Sequence, residues 1–463
     1  MPTEFQAAAI SSAIERARTH LICARSSIEL QAFIESHKAI LAPIRRVPNE
    51  ILAEFFVHCM DVTKPLDPKK GEAWVVSRVC RRWRAVAIAC PELWLHFVLP
   101  KKPIKHLRDF VRIQLGRAPY PSSLSIRLHK GPQDVMDLFF VAHTQWDEVV
   151  LHTNSALAQF ARRARNTGTP FPRLKKLEVN DDWSSRLLEG EDRGAYFGLV
   201  QSLPALTNLF LDARTELFPK QLVLPWSHLQ HCTLWSFVTS DVLWILALLP
   251  PSASVIIRGI HDERAFPHSQ TASLQASKTW SKISTLEFDN CSRLFTTTLL
   301  QVLHVPSLRK LAFRHDRGKS SAATLGEVAD FLDRSGCVLE HLRVGGVPLS
   351  DAGVLGILDR GHGAMWTNEL IRLDVHWITD LRETLEALGR GTAEGSVLLP
   401  NLGTLAVRGT SAFESVDVLG LLKSRNPTVR RLPFGRWQWE FPDLPEIGDG
   451  LEKELEVVIL EDE

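Results

Sequence analysis

The sequence predicts an α/β protein in two parts: a small, all-helical N-terminal region, then a long irregular solenoid in which short parallel strands alternate with helices. Three observations carry this. Before residue 98, apolar residues recur at spacings of three and four, the period of helices with one buried stripe. Beyond residue 120, an apolar residue followed by others at plus three and plus five recurs down the chain. The starts of those triplets lie 23–32 residues apart, close to the interval at which strand-and-helix repeat arrays are built.

Residues 1–43 form the first segment. Ile10, Ile14, Ala17, Leu21, Ala24 and Ile28 alternate steps of four and three, which predicts one amphipathic helix ended at Pro43. Glu15, Arg16, Arg18, Arg25 and Glu29 lie off that seam. The seam either packs on the rest of the chain or pairs with a second copy as a short coiled coil.

Residues 44–97 read as two helical patterns across a Pro/Lys-rich connector. The first carries Ile51, Leu52, Phe55 and Phe56; the second carries Val75, Val76, Val79, Cys80 and Trp83. Each set is expected to be a buried stripe. Pro48 stands just before the first, where a missing N–H costs nothing, and Pro91 stops the second. Leu93 and Trp94 follow on a short final turn.

The order Val47-Pro48-Asn49-Glu50, Val79-Cys80-Arg81-Arg82-Trp83 and Pro91-Glu92-Leu93-Trp94 resembles the F-box, whose pattern is Leu-Pro-x-Glu, Val-Cys-x-x-Trp and Pro-x-Leu-Trp. Val47 replaces the first Leu. The helix before it and the Pro43-Ile44-Arg45-Arg46 junction look like the layout of many fungal F-box proteins. The bland alternative is a small helical hairpin that packs on the rest of the chain.

Residues 98–119 are a helical connector, basic at Lys101, Lys102 and Lys105, with a helix over 104–115. Residues 120–463 are the repeat region. Its clear triplets start at Leu174, Leu206, Leu229, Ile283, Leu308, Leu339, Leu370, Leu402 and Val429. Weaker ones start at Trp146 and Leu455, and Val255/Ile257 lacks its first member. The plus-three and plus-five residues share one face of a strand. Helical runs at 241–249, 325–332, 352–358 and 416–422 fall between strands. One strand and one helix cannot bury their own apolar face, whereas stacked neighbours can. The pattern is that of degenerate leucine-rich repeats, without the usual Asn or Cys of that signature.

Composition narrows the function classes. A hydrophobic content of 45% and a charged content of 23% suit a folded protein, and a net charge of +1 leaves partners to local patches rather than bulk charge. No nucleic-acid partner is expected. No signal peptide is recognisable, and the longest apolar run, 242–249, is far short of a membrane span. The seven cysteines show no Cys-x-x-Cys and no zinc spacing, so reduced thiols in the cytoplasm or nucleus are expected. No phosphate loop, nucleophile elbow, kinase motif or paired metal ligand is found. Gly345-Gly346 reads as a turn, and His228 and His231 fall on opposite faces of a strand. No cofactor, metal or catalytic residue is predicted.

The plus-two, plus-four and plus-six residues are expected to face away from the core. Early copies offer Lys176, Glu178, Asn208, Asp212, His231, Thr233, Trp235, Thr285, Glu287 and Asp289. Later ones offer Lys310, Arg314, His341, Arg343, Arg372, Asp374, His376, Arg408 and Arg431. The sign changes near residue 300. An ordinary solvated face explains this; so does a target site for an acidic or phosphorylated segment, with Lys310, Arg314, Arg343, Arg372, Arg408 and Arg431 as candidates. Trp437 and Trp439 are a second candidate contact, or the cap of the last repeat.

The F-box resemblance implies docking to the Skp-type adaptor of an SCF (cullin–RING) ubiquitin ligase, and through it to a cullin, with the chain as non-catalytic substrate receptor. Carried over by motif position, the adaptor-binding residues are Val47, Pro48, Glu50, Ile51, Leu52, Phe55, Val79, Cys80 and Trp83. Some of these belong instead to the internal core. The alternatives are an interaction scaffold unconnected to ubiquitination, and an enzyme whose site has no sequence signature.

Overall fold

The computed structural model describes residues 3–408 except 24–27, 68, 101–103, 119–122, 129–132, 153–155, 157–159, 161–170, 181–202, 213–223, 260–278, 315–324, 346–350, 361–364, 377–398, 400 and 403. Outside the described residues lie Ala24, Arg25, Lys101, Lys102, Gly346 and Arg431, the triplets from Val429 and Leu455, the run 416–422, and Trp437 and Trp439. The chain divides into two compact units, Met1–Leu124 and Ser125–Glu463.

In the first unit the expected single N-terminal helix is two: α1 (Glu4–Cys23) and α2 (Ile28–Leu41). Ile14 and Ala17 of the seam are buried with Ile34 of α2, and Ile10, Leu30 and Leu41 pack around them. The seam thus closes within the chain, where a tethered partner has a high effective concentration. Ile28, expected on the seam, is 87% exposed.

A 3-10 turn (Pro43–Arg45) leads to α3 (Asn49–His58), with Pro48 at its N-cap. The second helical pattern also splits, into α4 (Glu72–Val79) and α5 (Arg81–Ala89). Cys80 between them is extended, with φ −157 and ψ 172. Local hydrogen bonds compensate the break. Cys80 Sγ accepts from the Trp83 N–H at 3.4 Å and caps α5, while Arg84 Nε donates to the Ser77 carbonyl near the end of α4 at 2.9 Å.

The Pro91–Trp94 turn buries Leu93 and Trp94. Trp94 Nε1 donates to the Ala87 carbonyl at 2.8 Å. After β1 (His96–Val98), α6 (Leu107–Arg117) starts three residues later than expected, following His106 in a left-handed conformation. Gln114 of α6 is buried and donates to the His96 carbonyl at 2.8 Å. The Arg117 guanidinium lies 4.3 Å from the Trp94 ring and 4.9 Å from the Trp74 ring, a cation–π clamp.

The second unit is an α/β solenoid with a long parallel sheet. It opens with β2 (Leu124–Leu128), which has no triplet but alternates buried Leu124, Ile126 and Leu128. Helix α7 (Gln133–Val141) follows. The sheet then takes β3 (Trp146–Leu151), β4 (Lys176–Val179), β5 (Asn208–Asp212), β6 (His231–Trp235) and β7 (Ser254–Arg258) in chain order. It continues with β9 (Thr285–Asp289), β11 (Lys310–Arg314), β12 (His341–Val344), β13 (Arg372–His376) and β14 (Thr404–Arg408). Two elements escape the triplet pattern: β8 (Thr279–Trp280) and β10 (Leu303–His304) form a small parallel sheet of their own.

Register explains the triplet. The plus-three residues stand opposite one another, strand after strand: Leu177, Leu209, Cys232, Val255, Leu286, Leu311, Leu342, Leu373 and Leu405. The first member of each triplet ends a turn. Leu174, Leu206, Leu308 and Leu402 each donate to the carbonyl three residues back, of Phe171, Leu203, Val305 and Leu399. The intervening Pro172, Pro204 and Pro306 thus occupy the second turn position, which suits proline. Helices Thr239–Leu248, Arg293–Val302, Leu325–Ser335 and Asp351–Arg360 form the second layer.

Past the strands the chain turns through left-handed residues: Ser236, Gly259 and Asn290. Their N–H groups donate to the carbonyls of Arg258, Asp289 and Arg314 on the next strand. At Gly259 a side chain is also excluded sterically, because a Cβ would stand 2.2 Å from Trp235 Nε1.

Burial sorts the thiols. Cys59 and Cys80 are exposed; Cys90, Cys232, Cys291 and Cys337 are buried. Burial, with the nearby Glu92, pushes the Cys90 thiol up to about 11, and burial pushes those of Cys232 and Cys337 up to about 12. Site-resolved iodoacetamide labelling is expected to modify Cys59 and Cys80 in the native protein, and Cys90, Cys232 and Cys337 only after unfolding. Equal labelling of Cys232 and Cys80 under native conditions contradicts this packing.

Candidate functional site

Two surfaces bear on function, one in each unit. In the first, the two apolar stripes divide by face. Leu52 and Phe56 of α3 are buried, as are Ala73, Val86 and Ala87. Ile51 and Phe55, four apart on α3, are 49% and 53% exposed; Val75 and Val79, four apart on α4, are 42% and 56% exposed. Each pair shares a face of its helix. The expectation of wholly buried stripes is therefore corrected: Ile51 and Phe55 of the first set and Val75, Val79 and Cys80 of the second are exposed, because these short helices have too little neighbouring surface to cover both sides.

Of the nine motif-derived residues, Pro48, Glu50, Ile51, Phe55, Val79 and Cys80 are exposed and Val47 is half-buried. Leu52 is internal. Trp83 is half-buried, with its ring centroid 4.9 Å from that of Phe56, so it supports α3 from behind.

Arg82 is a positioning residue that the motif comparison passes over. Its guanidinium donates to Asn49 Oδ1 at 2.9 Å, to the Arg45 carbonyl at 2.7 Å, and to the Val47 carbonyl. One α5 side chain thereby holds the Pro43–Arg45 turn and the start of α3 in place. Sequence gives no signal for this, since Arg81, Arg82 and Arg84 all look alike. Arg82→Ala is expected to lower the stability of the helical unit by about 1.5–3 kcal/mol, and Arg82→Lys to restore only part, because an ammonium lacks the fork that reaches three acceptors. Thermal unfolding followed by circular dichroism reads both.

The second surface is the strand face opposite the helices. Most of the expected outward residues are at least partly exposed, but Asp212, Glu287 and Asp374 are buried. The change of sign near residue 300 is also softened by pairing across strands. Arg258 Nε lies 2.8 Å from Asp289 Oδ2 and Arg314 Nε lies 2.8 Å from Glu287 Oε1. Across β12 and β13, His341 Nε2 lies 3.0 Å from Asp374 Oδ2, and within β13 Arg372 Nε donates to Asp374 Oδ1 at 2.8 Å. On the early strands Lys176 Nζ lies 2.6 Å from Glu148 Oε1.

Among the target candidates, Arg314 and Arg372 are thus engaged within the face. Lys310 and Arg343 are half-buried on the adjacent β11 and β12. Arg408 lies on β14 in register with His376, with its side chain outside the described set. Among the described residues, no group of three His, Cys, Asp or Glu could hold a metal ion, and no helix is long and apolar enough to cross a membrane.

Burial raises the Asp374 carboxyl, but the hydrogen bonds and charges of His341 and Arg372 outweigh it and hold the group below its ordinary 3.8. A depressed carboxylate stabilises the fold above its ordinary value, and that contribution is lost as pH falls through the folded-state value. At pH 7, Asp374→Asn is expected to cost about 1.5–3 kcal/mol. The difference from wild type should shrink as pH drops below 4, as measured by urea unfolding across pH. A difference that stays constant to pH 2 rules out this role for the charge.

No protein-family model matches the chain, and no curated protein matches it. Among solved structures, a crystal structure of the Rad7 and Elc1 complex in yeast aligns with 85% of this chain and 96% of its own, at 13% identity and a TM-score of 0.39.

Proposed function

We propose that this chain is the substrate-recognition subunit of an SCF-type (cullin–RING) E3 ubiquitin ligase, working in the cytoplasm or nucleus. The helical unit docks the Skp-type adaptor, and through it a cullin. The repeats hold a target protein through an acidic or phosphorylated segment at the basic late strands. The chain makes and breaks no bond. Its contribution is proximity: a target held near a charged ubiquitin-conjugating enzyme reacts at a high effective concentration.

One observation carries this reading. The F-box-like residues Pro48, Ile51, Phe55 and Val79 stand exposed on helices whose other faces form a packed core. Large apolar residues repeated on the outer face of two helices suit a protein interface.

The test is capture of a recombinant Skp-type adaptor by the full chain. Replacing two exposed anchors, Ile51→Asp with Phe55→Asp, is expected to cost about 2 kcal/mol or more in binding, roughly a thirtyfold loss, with an unchanged circular dichroism spectrum. Failure of the wild-type chain to bind, or indifference to the double substitution, overturns the proposal. Reconstitution with cullin, RING subunit and conjugating enzyme then distinguishes a receptor from a scaffold: a receptor promotes transfer of ubiquitin to the bound target.

A further inference from the structure

The strand face carries an uncharged patch between its two charged halves. Phe210 on β5, Thr233 and Trp235 on β6, and Ile256 on β7 are all half-buried. Phe210 meets Trp235 edge to face, with ring centroids 6.1 Å apart. The Trp235 indole rests on Gly259, where no side chain fits. This platform is set before any partner arrives, which spares the ordering cost of binding.

Charge differs on its two sides. Strands β3 and β4 present Glu148 and Glu178 against Lys176 on this face, while Asp212 of β5 is buried. Strands β11–β13 present Lys310, Arg314, Arg343 and Arg372 against a single carboxylate, Asp374. The arginines already hold carboxylates: Arg314 of β11 pairs with Glu287 of β9, and Arg372 pairs with Asp374 two residues on along β13. Both arginines thus take a carboxylate as counter-charge, and on β11–β13 the cations outnumber the carboxylates.

We infer that the target enters as an extended segment lying across the strands, with one large apolar or aromatic side chain on the Phe210–Trp235–Ile256 platform and one or two carboxylates at Lys310 and Arg343. The inference rests on the receptor reading in taking this face as the target's side. From β6 to β12 the chain order passes β7, β9 and β11. Four steps of about 4.8 Å make about 19 Å, which about six extended residues span at roughly 3.3 Å each. Glu148 and Glu178, which share one cation in Lys176, disfavour a segment laid in the reverse direction.

The test uses the full chain as bait for random dodecapeptides displayed on phage, with counter-selection on Lys310→Glu/Arg343→Glu. The expected winners pair an aromatic or large apolar residue with Asp or Glu about six positions away. A synthetic winner should lose about tenfold in affinity when its acids become amides, when its anchor becomes Ala, or when the protein carries Thr233→Glu. Both protein variants should keep the wild-type circular dichroism spectrum and full adaptor capture. No enrichment, winners without acids, or winners indifferent to both variants overturn the inference. A phosphoserine counterpart that binds more than tenfold tighter than the glutamate peptide replaces carboxylate by phosphate and overturns it too. Adaptor capture that fails while peptide selectivity holds sinks the ligase reading and leaves this one standing.

Discussion

The repeat unit depends on a single row of side chains. Leu177, Leu209, Cys232, Val255, Leu286, Leu311, Leu342 and Leu373 stand opposite one another along the parallel sheet. Side chains alternate with period two, so a slip of one residue would turn that row outward and drive the charged row into the core. Register is therefore held strongly. Length differences between repeats are absorbed outside the strands, which is why an irregular spacing still yields an even ladder.

That fixed row also fixes the opposite face. Once the plus-three and plus-five residues are buried, the plus-two, plus-four and plus-six residues of neighbouring strands stand about 4.8 Å apart. At that separation a carboxylate on one strand meets an arginine on the next. Glu287 with Arg314 and Asp289 with Arg258 follow from this. Burying Glu287 and Asp374 costs less because each has its counter-charge, and the same pairing holds the arginine side chains in place.

The helical unit follows a different rule. Its short helices cannot be covered on both sides, so the apolar pattern splits between core and surface. Leu52 and Phe56 hold α3 down, while Ile51 and Phe55 stay outside. Arg82 ties the entry turn to α5 through three acceptors, so the exposed apolar residues sit on a braced framework.

Much of this was legible in the chain. The triplets located every strand from β3 to β7, β9 and β11 to β14, because a buried parallel strand needs apolar residues at fixed offsets whatever its neighbours do. Pro172, Pro204 and Pro306 announced the turns, since proline's fixed φ suits that position. The helical period likewise gave α3 and the second-layer helices Thr239–Leu248, Leu325–Ser335 and Asp351–Arg360, but not Arg293–Val302. Three things required the folded chain. The break at Cys80 lies inside an unbroken helical pattern and exists because side-chain hydrogen bonds replace the lost backbone ones. The hairpin of α1 and α2 arises because the seam found its partner in the same chain. The pairing of Asp289 with Arg258 and of Glu287 with Arg314 joins residues 31 and 27 positions apart, a separation that local periodicity cannot express and only strand register brings together.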